Sequence, residues 1–312
     1  MNMHRRRRRL CWWLFGLFVL LSLFIGWSWL WYRYEEQQSV ISALQAEGAT
    51  VETGHARTFL GVPVELPACQ VTFVGSTPKL ALAGRLQGVS SLMLMDLTMT
   101  GEESCALARM TDLRDLALVR VCAGEELWGA LEQLGSLEML AVMGMRVEGA
   151  PMASISKLDQ LGYLCLLDTR FSGHSLRHLA RLAALEQLVL VDCEIQGKGL
   201  HYLRNLGNLR MLTLEGCELV AADFEVLGSF RSLVFLNLAR SNVSGAHLRR
   251  IARLQNLTGL DLSGTTISDT DVIALSRMRS LTELVIADTA LRPVTVARLR
   301  QTIPRVITTQ DE

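Results

Sequence analysis

A strict 24-residue period governs most of this 312-residue chain. With Leu257–Ser280 as the template unit, position 1 recurs at Val89, Leu113, Leu137, Leu161, Leu185, Leu209, Leu233, Leu257 and Leu281. Position 4 is leucine in every copy: Leu92, Leu116, Leu140, Leu164, Leu188, Leu212, Leu236, Leu260 and Leu284. Position 6 is Leu94, Leu118, Val142, Leu166, Leu190, Leu214, Leu238, Leu262 and Ile286. A chain repeating this way stacks its units, each burying an apolar face against its neighbours, and the product is a solenoid.

Within the template, the apolar residues first alternate and then recur every three to four, so strand periodicity gives way to helix periodicity. Ser268 followed by Asp271 predicts an N-cap and capping box. One unit is therefore a strand, a turn and a short helix. The glycines Gly101, Gly149, Gly173, Gly197 and Gly245 share position 13 and serve the turn, not a phosphate loop.

The pattern LxxLxLxx(T/C)xI followed by a helix resembles the leucine-rich repeat family over residues 89–303. The resemblance implies an α/β fold: a right-handed horseshoe with parallel strands on its concave face and short helices on its convex face. It implies no substrate and no reaction. Cys193 and Cys217 both fall at position 9, where the family commonly places Asn, Thr or Cys facing inward. They read as buried thiols bonding loop carbonyls; a disulfide between neighbouring turns is the sharper alternative.

The N-terminus has a different character. Residues 1–9 form a basic tip that includes Arg5–Arg9, and residues 10–32 carry no charge. At about 1.5 Å per residue a helix of this length spans roughly 34 Å, enough to cross a bilayer. Trp12 and Trp13 mark one end, and Trp27, Trp29, Trp31, Tyr32 and Tyr34 the other, as an aromatic belt does. No A-x-A cleavage pattern follows, so an uncleaved anchor is expected in place of a signal peptide. The arginines stay in the cytoplasm, which puts the repeats on the extracytoplasmic side, periplasm or cell surface.

Residues 33–88 read as a juxtamembrane helix, an N-terminal cap and an irregular first repeat. Val40, Ile41, Ala43 and Leu44 make one apolar stripe, Gly48 stops the helix, and residues 49–53 suit a strand. Residues 1–54 also resemble the juxtamembrane region of small membrane-anchored leucine-rich-repeat proteins of bacteria, abundant in planctomycetes. Residues 55–67, with Pro63 and Pro67, read as a loop, and Val71 and Phe73 as the first strand. At the far end Pro304 closes the last helix, and Val306–Thr308 make a capping strand within the tail 304–312.

The composition carries little catalytic signal. Basic and acidic residues balance at 31 each, and without Arg5–Arg9 the remainder is mildly acidic, which argues against nucleic acid. His174 and His178 are four apart on one expected helix, yet the run is HSLRH and not HExxH. Asp269 and Asp271 suit a helix first turn. No cofactor, metal or small-molecule substrate is indicated, and the chain reads as a non-enzyme.

Positions 3, 5 and 7 point away from the leucines and line the concave face. They are apolar early: Met93, Met95, Ala117, Val119, Met139, Ala141, Met143, Tyr163, Cys165, Leu167, Val189, Val191, Met211 and Phe235. They turn polar later, at Asn237, Asp261, Ser263 and Glu283, while position 8 places charges along a rim. Eight of the twelve methionines lie between Met93 and Met152, and methionine suits a surface that adapts to a partner. The expectation is a protein-binding face built on Met93, Met95, Met139, Met143, Tyr163, Leu167, Val191, Met211 and Phe235. A structural envelope component and an inhibitor of an extracytoplasmic enzyme are the alternatives. Residues 55–67 folding over the face, or self-association, are the competing ways to cover it.

Overall fold

The computed structural model describes residues 35–53, 58–59, 62–63, 69–75, 79–86, 88–196, 199–309 and 311. The basic tip, the expected anchor at 10–32, most of the loop 55–67, and Gly197 lie outside them. Among the described residues, no helix is long and apolar enough to cross a membrane.

Twelve strands form one sheet, each hydrogen-bonded to the next in chain order. They are β1 (Thr50–Thr53), β2 (Cys69–Val74), β3 (Val89–Met95), β4 (Asp115–Val119), β5 (Met139–Met143) and β6 (Tyr163–Leu167). The series continues with β7 (Gln187–Val191), β8 (Met211–Glu215), β9 (Phe235–Asn237), β10 (Gly259–Asp261), β11 (Glu283–Val285) and β12 (Arg305–Ile307). All pairs are parallel except β1 with β2. Between β3 and β11 the register aligns identical unit positions, so Leu212 faces Leu188 on one side and Leu236 on the other. The leucines of positions 4 and 6 are buried throughout and form two continuous stacks.

At the N-terminal end a helix precedes the first strand. Helix α1 covers residues 35–46, with Gln37, Val40 and Leu44 buried and Ile41 half-buried. Gly48 stops it at φ 85°, a conformation glycine adopts without a Cβ clash. Strand β1 then turns antiparallel against β2, whose Val71 and Phe73 are fully buried. The register between β2 and β3 shifts at Cys69/Gln70. At the other end Pro293 opens the last helix, α8 (Pro293–Arg300) when the helices are numbered in order after α1. That helix ends at Arg300, before Pro304, and β12 begins one residue earlier than expected.

The intervening helices are α2 (Leu80–Ala83), α3 (Gly101–Leu107), α4 (Glu125–Leu131), α5 (Ala150–Ile155), α6 (Ala221–Leu227) and α7 (Gly245–Ile251). Three units carry 3₁₀ turns instead, at Gly173–Arg177 with Leu179–Arg181, at Leu200–Asn205 and at Val272–Arg277. The template unit belongs to this second class. Its Asp271 accepts from the Ser268 N–H at 2.9 Å and from the Ser268 hydroxyl at 2.7 Å, so half of the expected capping box forms. Helix starts also bond between units. The buried carboxylate of Asp223 accepts from Val220 N–H of its own unit and from Gly199 and Leu200 N–H of the preceding one. With three donors, its burial costs little. Gly245 lies so close to Asp271 that a Cβ there would sit 1.8 Å from Oδ1, which accounts for glycine at that copy of position 13.

The turn after each strand carries the most regular feature of the backbone. Position 8 holds Asp96, Arg120, Gly144, Asp168, Asp192, Gly216, Arg240, Gly264 and Asp288, and every one is left-handed, with φ between 48° and 64°. From Asp96 to Gly264 the position-8 N–H donates to the position-7 carbonyl of the following unit at 2.8–3.0 Å. At Asp288 no further unit follows, and its N–H donates to the Thr309 hydroxyl at 2.7 Å.

Position 9 answers the carbonyls that this turn leaves open. The Cys193 thiol bonds Leu166 O at 3.3 Å, the Cys217 thiol Leu190 O at 3.5 Å, and the Ser241 hydroxyl Leu214 O at 2.6 Å, each one unit back. Cys193 and Cys217 are free and buried, so the expected thiol role holds and the disulfide alternative does not. The hydrogen bond from Cys217 holds the Cys193 thiol down at about 7, and the same contact with burial pushes Cys217 up.

Candidate protein-binding face

Positions 3, 5 and 7 all emerge on the face of the sheet opposite the leucine stacks. Met93 and Met95 on β3, Met143 on β5, Tyr163 and Leu167 on β6, Val191 on β7 and Phe235 on β9 are half-buried. Met139 on β5 is 44% exposed and Met211 on β8 38%. The nine expected residues therefore share one surface. Two other members of the apolar set, Val119 and Cys165, are buried.

The register resolves this surface into three rows. Position 3 gives Met139, Tyr163, Gln187, Met211 and Phe235 on successive strands. Position 7 gives Met95, Val119, Met143, Leu167 and Val191. Between them position 5 gives Met93, Ala117, Ala141, Cys165 and Val189, with its smallest side chains on β4 to β6. Where Ala141 and Cys165 lie between Met139 and Tyr163 on one side and Met143 and Leu167 on the other, the face forms a shallow apolar trough that runs along the solenoid axis. Sequence reasoning grouped the three positions as one face and missed the trough. The signal was present, since residues 24 apart are neighbours and position 5 is the one with two alanines.

The trough has a defined end at Phe235. The Phe235 ring lies over Gly259, where a Cβ would meet Cδ2 at 2.5 Å. Beyond it the outward residues bond to their own chain. Asn237 Oδ1 accepts from Ala239 N–H at 2.8 Å, and Asp261 Oδ1 from Ser263 N–H at 2.9 Å. These local bonds compete with the sheet ladder, so β9 and β10 keep three residues where β4 to β8 keep five. The rim beside the position-7 row carries ion pairs. Arg120 grips Asp96 with two bonds of 2.6 and 2.7 Å, and Arg240 spans Glu215 at 3.0 Å and Asp192 at 3.3 Å.

No pair of groups in the trough is set up for acid–base or nucleophilic work. Burial raises the Cys165 thiol, and burial beside Cys165 pushes the Tyr163 phenol up to about 12, so both stay protonated. His174 and His178 are not one helix face. They belong to a run of 3₁₀ turns, where three residues complete a turn and a spacing of four does not align. His174 is exposed and bonds the Tyr202 hydroxyl at 2.8 Å and the Arg177 guanidinium, so both ring nitrogens are engaged. Burial, then Arg177 and Arg181, lower His178. Among the described residues no group of three His, Cys, Asp or Glu side chains converges as a metal site.

No family model matches the chain, and no curated protein matches it. Solved structures do. An internalin of Listeria monocytogenes is 17% identical, with a TM-score of 0.52 over 74% of this chain and 70% of that one. The leucine-rich-repeat ectodomain of the Arabidopsis receptor kinase HAESA, solved with a peptide hormone ligand, is 14% identical. Its TM-score is 0.55 over 82% of this chain, which spans 46% of that ectodomain. At such identities the likeness concerns the fold. Neither structure bears on the bacterial juxtamembrane resemblance of residues 1–54.

Proposed function

We propose that this leucine-rich-repeat solenoid is a binding module, not an enzyme, and that it holds a protein or peptide partner in the trough of its concave face. The carrying observation is the apolar lining left open to solvent, with Met139 and Met211 the most exposed of its large side chains. Methionine and aromatic side chains in one concavity suit an adaptable partner contact. The peptide-bound ectodomain of like fold supports this reading. Tyr163 and Phe235 are the proposed anchors, with Met143 and Leu167 opposite Tyr163 across the trough. The uncharged run at 10–32 is the proposed tether, holding the solenoid on the extracytoplasmic side.

The test is the triple change Met143→Ser, Tyr163→Ser and Leu167→Ser in the full chain, followed by crosslinking in intact membranes and recovery of the bound protein. A single stoichiometric partner with the parent chain, lost in the triple variant at nearly unchanged melting temperature, is expected. Unfolding of the triple variant would mean that the face is internally covered, and retention of the partner that binding lies elsewhere. Tether and orientation have their own check: protease on the trans side should digest the repeats and spare the tip. A soluble mature product beginning near Trp29 rejects the tether.

A further inference from the structure

The balanced net charge conceals a segregation along one edge of the solenoid. The segments that return from helix to strand in four successive units, residues 201–210, 225–234, 249–258 and 273–282, hold eight arginines and one glutamate. The remainder of those turns, 211–224, 235–248 and 259–272, holds six acidic residues and one arginine. The corresponding return segments nearer the N-terminus, 105–114, 129–138 and 153–162, hold three basic and four acidic residues, so the basic edge belongs to the C-terminal half.

Six of these eight arginines differ from the others in their surroundings. Arg114, Arg120 and Arg292, outside these four segments, each pair with a carboxylate on a neighbouring turn, and within them Arg250 pairs with Glu225. Arg204, Arg210, Arg231, Arg253, Arg277 and Arg279 are exposed and make no side-chain hydrogen bond or ion pair among the described residues. Arg231 and Arg253, from adjacent units, line one cleft of about 480 Å³ with Gly228, Leu254, Gln255 and Asn256. No carboxylate lines it. The Asn256 amide bonds Arg231 O at 2.8 Å and ties the two turns together there. The comparable cleft near the N-terminus, about 440 Å³, has Asp112 beside Arg109 and is neutralised from within.

We propose that this edge binds a linear polyanion, a chain of repeated phosphate or sulfate groups, and that Arg231 and Arg253 hold one of those groups in their cleft. The guanidiniums step along the solenoid axis unit by unit, matching repeated charge on a line. The recess favours a thin chain over a planar lipid surface, whose packed headgroups would meet the outer arginines and leave the cleft empty. The cleft itself is lined by no aromatic residue, so it offers no stacking platform for nucleobases beside Arg231 and Arg253.

The experiment uses the full chain in neutral detergent with fluorescent linear polyphosphate, its affinity followed by anisotropy against salt. The parent protein should bind, and more weakly as salt rises. Arg231→Gln with Arg253→Gln should flatten the slope of log affinity against log salt by about 1.4 to 1.8, the loss of two phosphate contacts. Arg109→Gln with Arg114→Gln removes the same charge elsewhere and should leave the slope in place. If the cleft variant melts early, Arg277→Gln with Arg279→Gln replaces it on the same edge, with the same flattening expected. Three results overturn the proposal. One is absence of salt-dependent binding. Another is equal weakening by the edge and control variants, which would reduce the effect to net charge. The third is arginine-dependent binding to vesicles of anionic phospholipid with none to polyphosphate, which would assign the edge to a lipid surface.

Discussion

Asp168 offers a direct measure of what the left-handed turn costs each unit. Its φ is 49°, its N–H donates to Val191 O at 3.0 Å, and its exposed side chain makes no hydrogen bond among the described residues. An L-residue held in this region costs roughly 1–2 kcal/mol, which glycine avoids. Glycine in turn gives the unfolded chain extra freedom worth about 0.4–1 kcal/mol. Asp168→Gly should therefore stabilise the solenoid by about 0.5–1 kcal/mol, with the hydrogen bond to Val191 kept. Valine is β-branched and tolerates the region worst, so Asp168→Val should cost about 1–3 kcal/mol. Urea unfolding of the full chain in neutral detergent, followed by far-ultraviolet circular dichroism, should rank the midpoints glycine, aspartate, valine. Arg120→Gly has the same backbone gain but loses the grip on Asp96, so its midpoint should rise relative to the parent as salt screens that pair. A lower midpoint for Asp168→Gly than for the parent, or a valine variant as stable as the parent, would refute the reasoning.

Leu236 is fully buried between Leu212 and Leu260 in the position-4 stack, so Leu236→Ala should cost about 2–5 kcal/mol in melts. Glu218→Ala, at an exposed position, should stay within about 0.5 kcal/mol. The bond from the Ser268 hydroxyl, then that from its N–H, hold the Asp271 carboxyl below the usual range. A depressed folded value adds stability above the unfolded value near pH 4, and this is lost as pH falls through the folded value. The melting difference between the parent and Asp271→Asn should therefore be full at pH 7 and vanish in strong acid; a constant difference would exclude the linkage. In alkylation mapped by mass spectrometry, the exposed Cys105 and Cys122 should react first, and Cys193 and Cys217 only on unfolding. Early labelling of Cys193 would mean that position 9 is not sealed.

The leucine stacks and the placement of the concave residues were legible because one period fixes them. Residues 24 apart become neighbours, and alternation decides which of them face inward. The left-handed turn was harder to read. Glycine at Gly144, Gly216 and Gly264 was its trace, but aspartate and arginine fill the other copies, where onward hydrogen bonds hold a conformation these residues do not prefer. The 3₁₀ turn under His174 and His178 has the same apolar spacing as an α-helix over one turn, so the pattern does not separate the two. Asn237 and Asp261 were read as polar face residues. Their capture of an N–H two residues on depends on turn geometry that periodicity does not encode. The basic edge was invisible to a net charge of zero, because Arg231 and Arg253 are balanced by acids on another side of the same turns.

The hydrogen bonds leaving position 8 run in one direction, from each unit to the next, and stop at a side chain. Copy number is therefore decoupled from closure. Excising residues 209–232 would bring Asp192 N–H opposite Ala239 O, a residue equivalent to its present acceptor, and the terminus would still end on Thr309. Removing one residue fewer would throw positions 4 and 6 onto the wrong face of every later strand. A lineage carrying this chain can thus change length only in whole turns, and loss of the turn 209–232, where the two features overlap, shortens the trough and the arginine edge together.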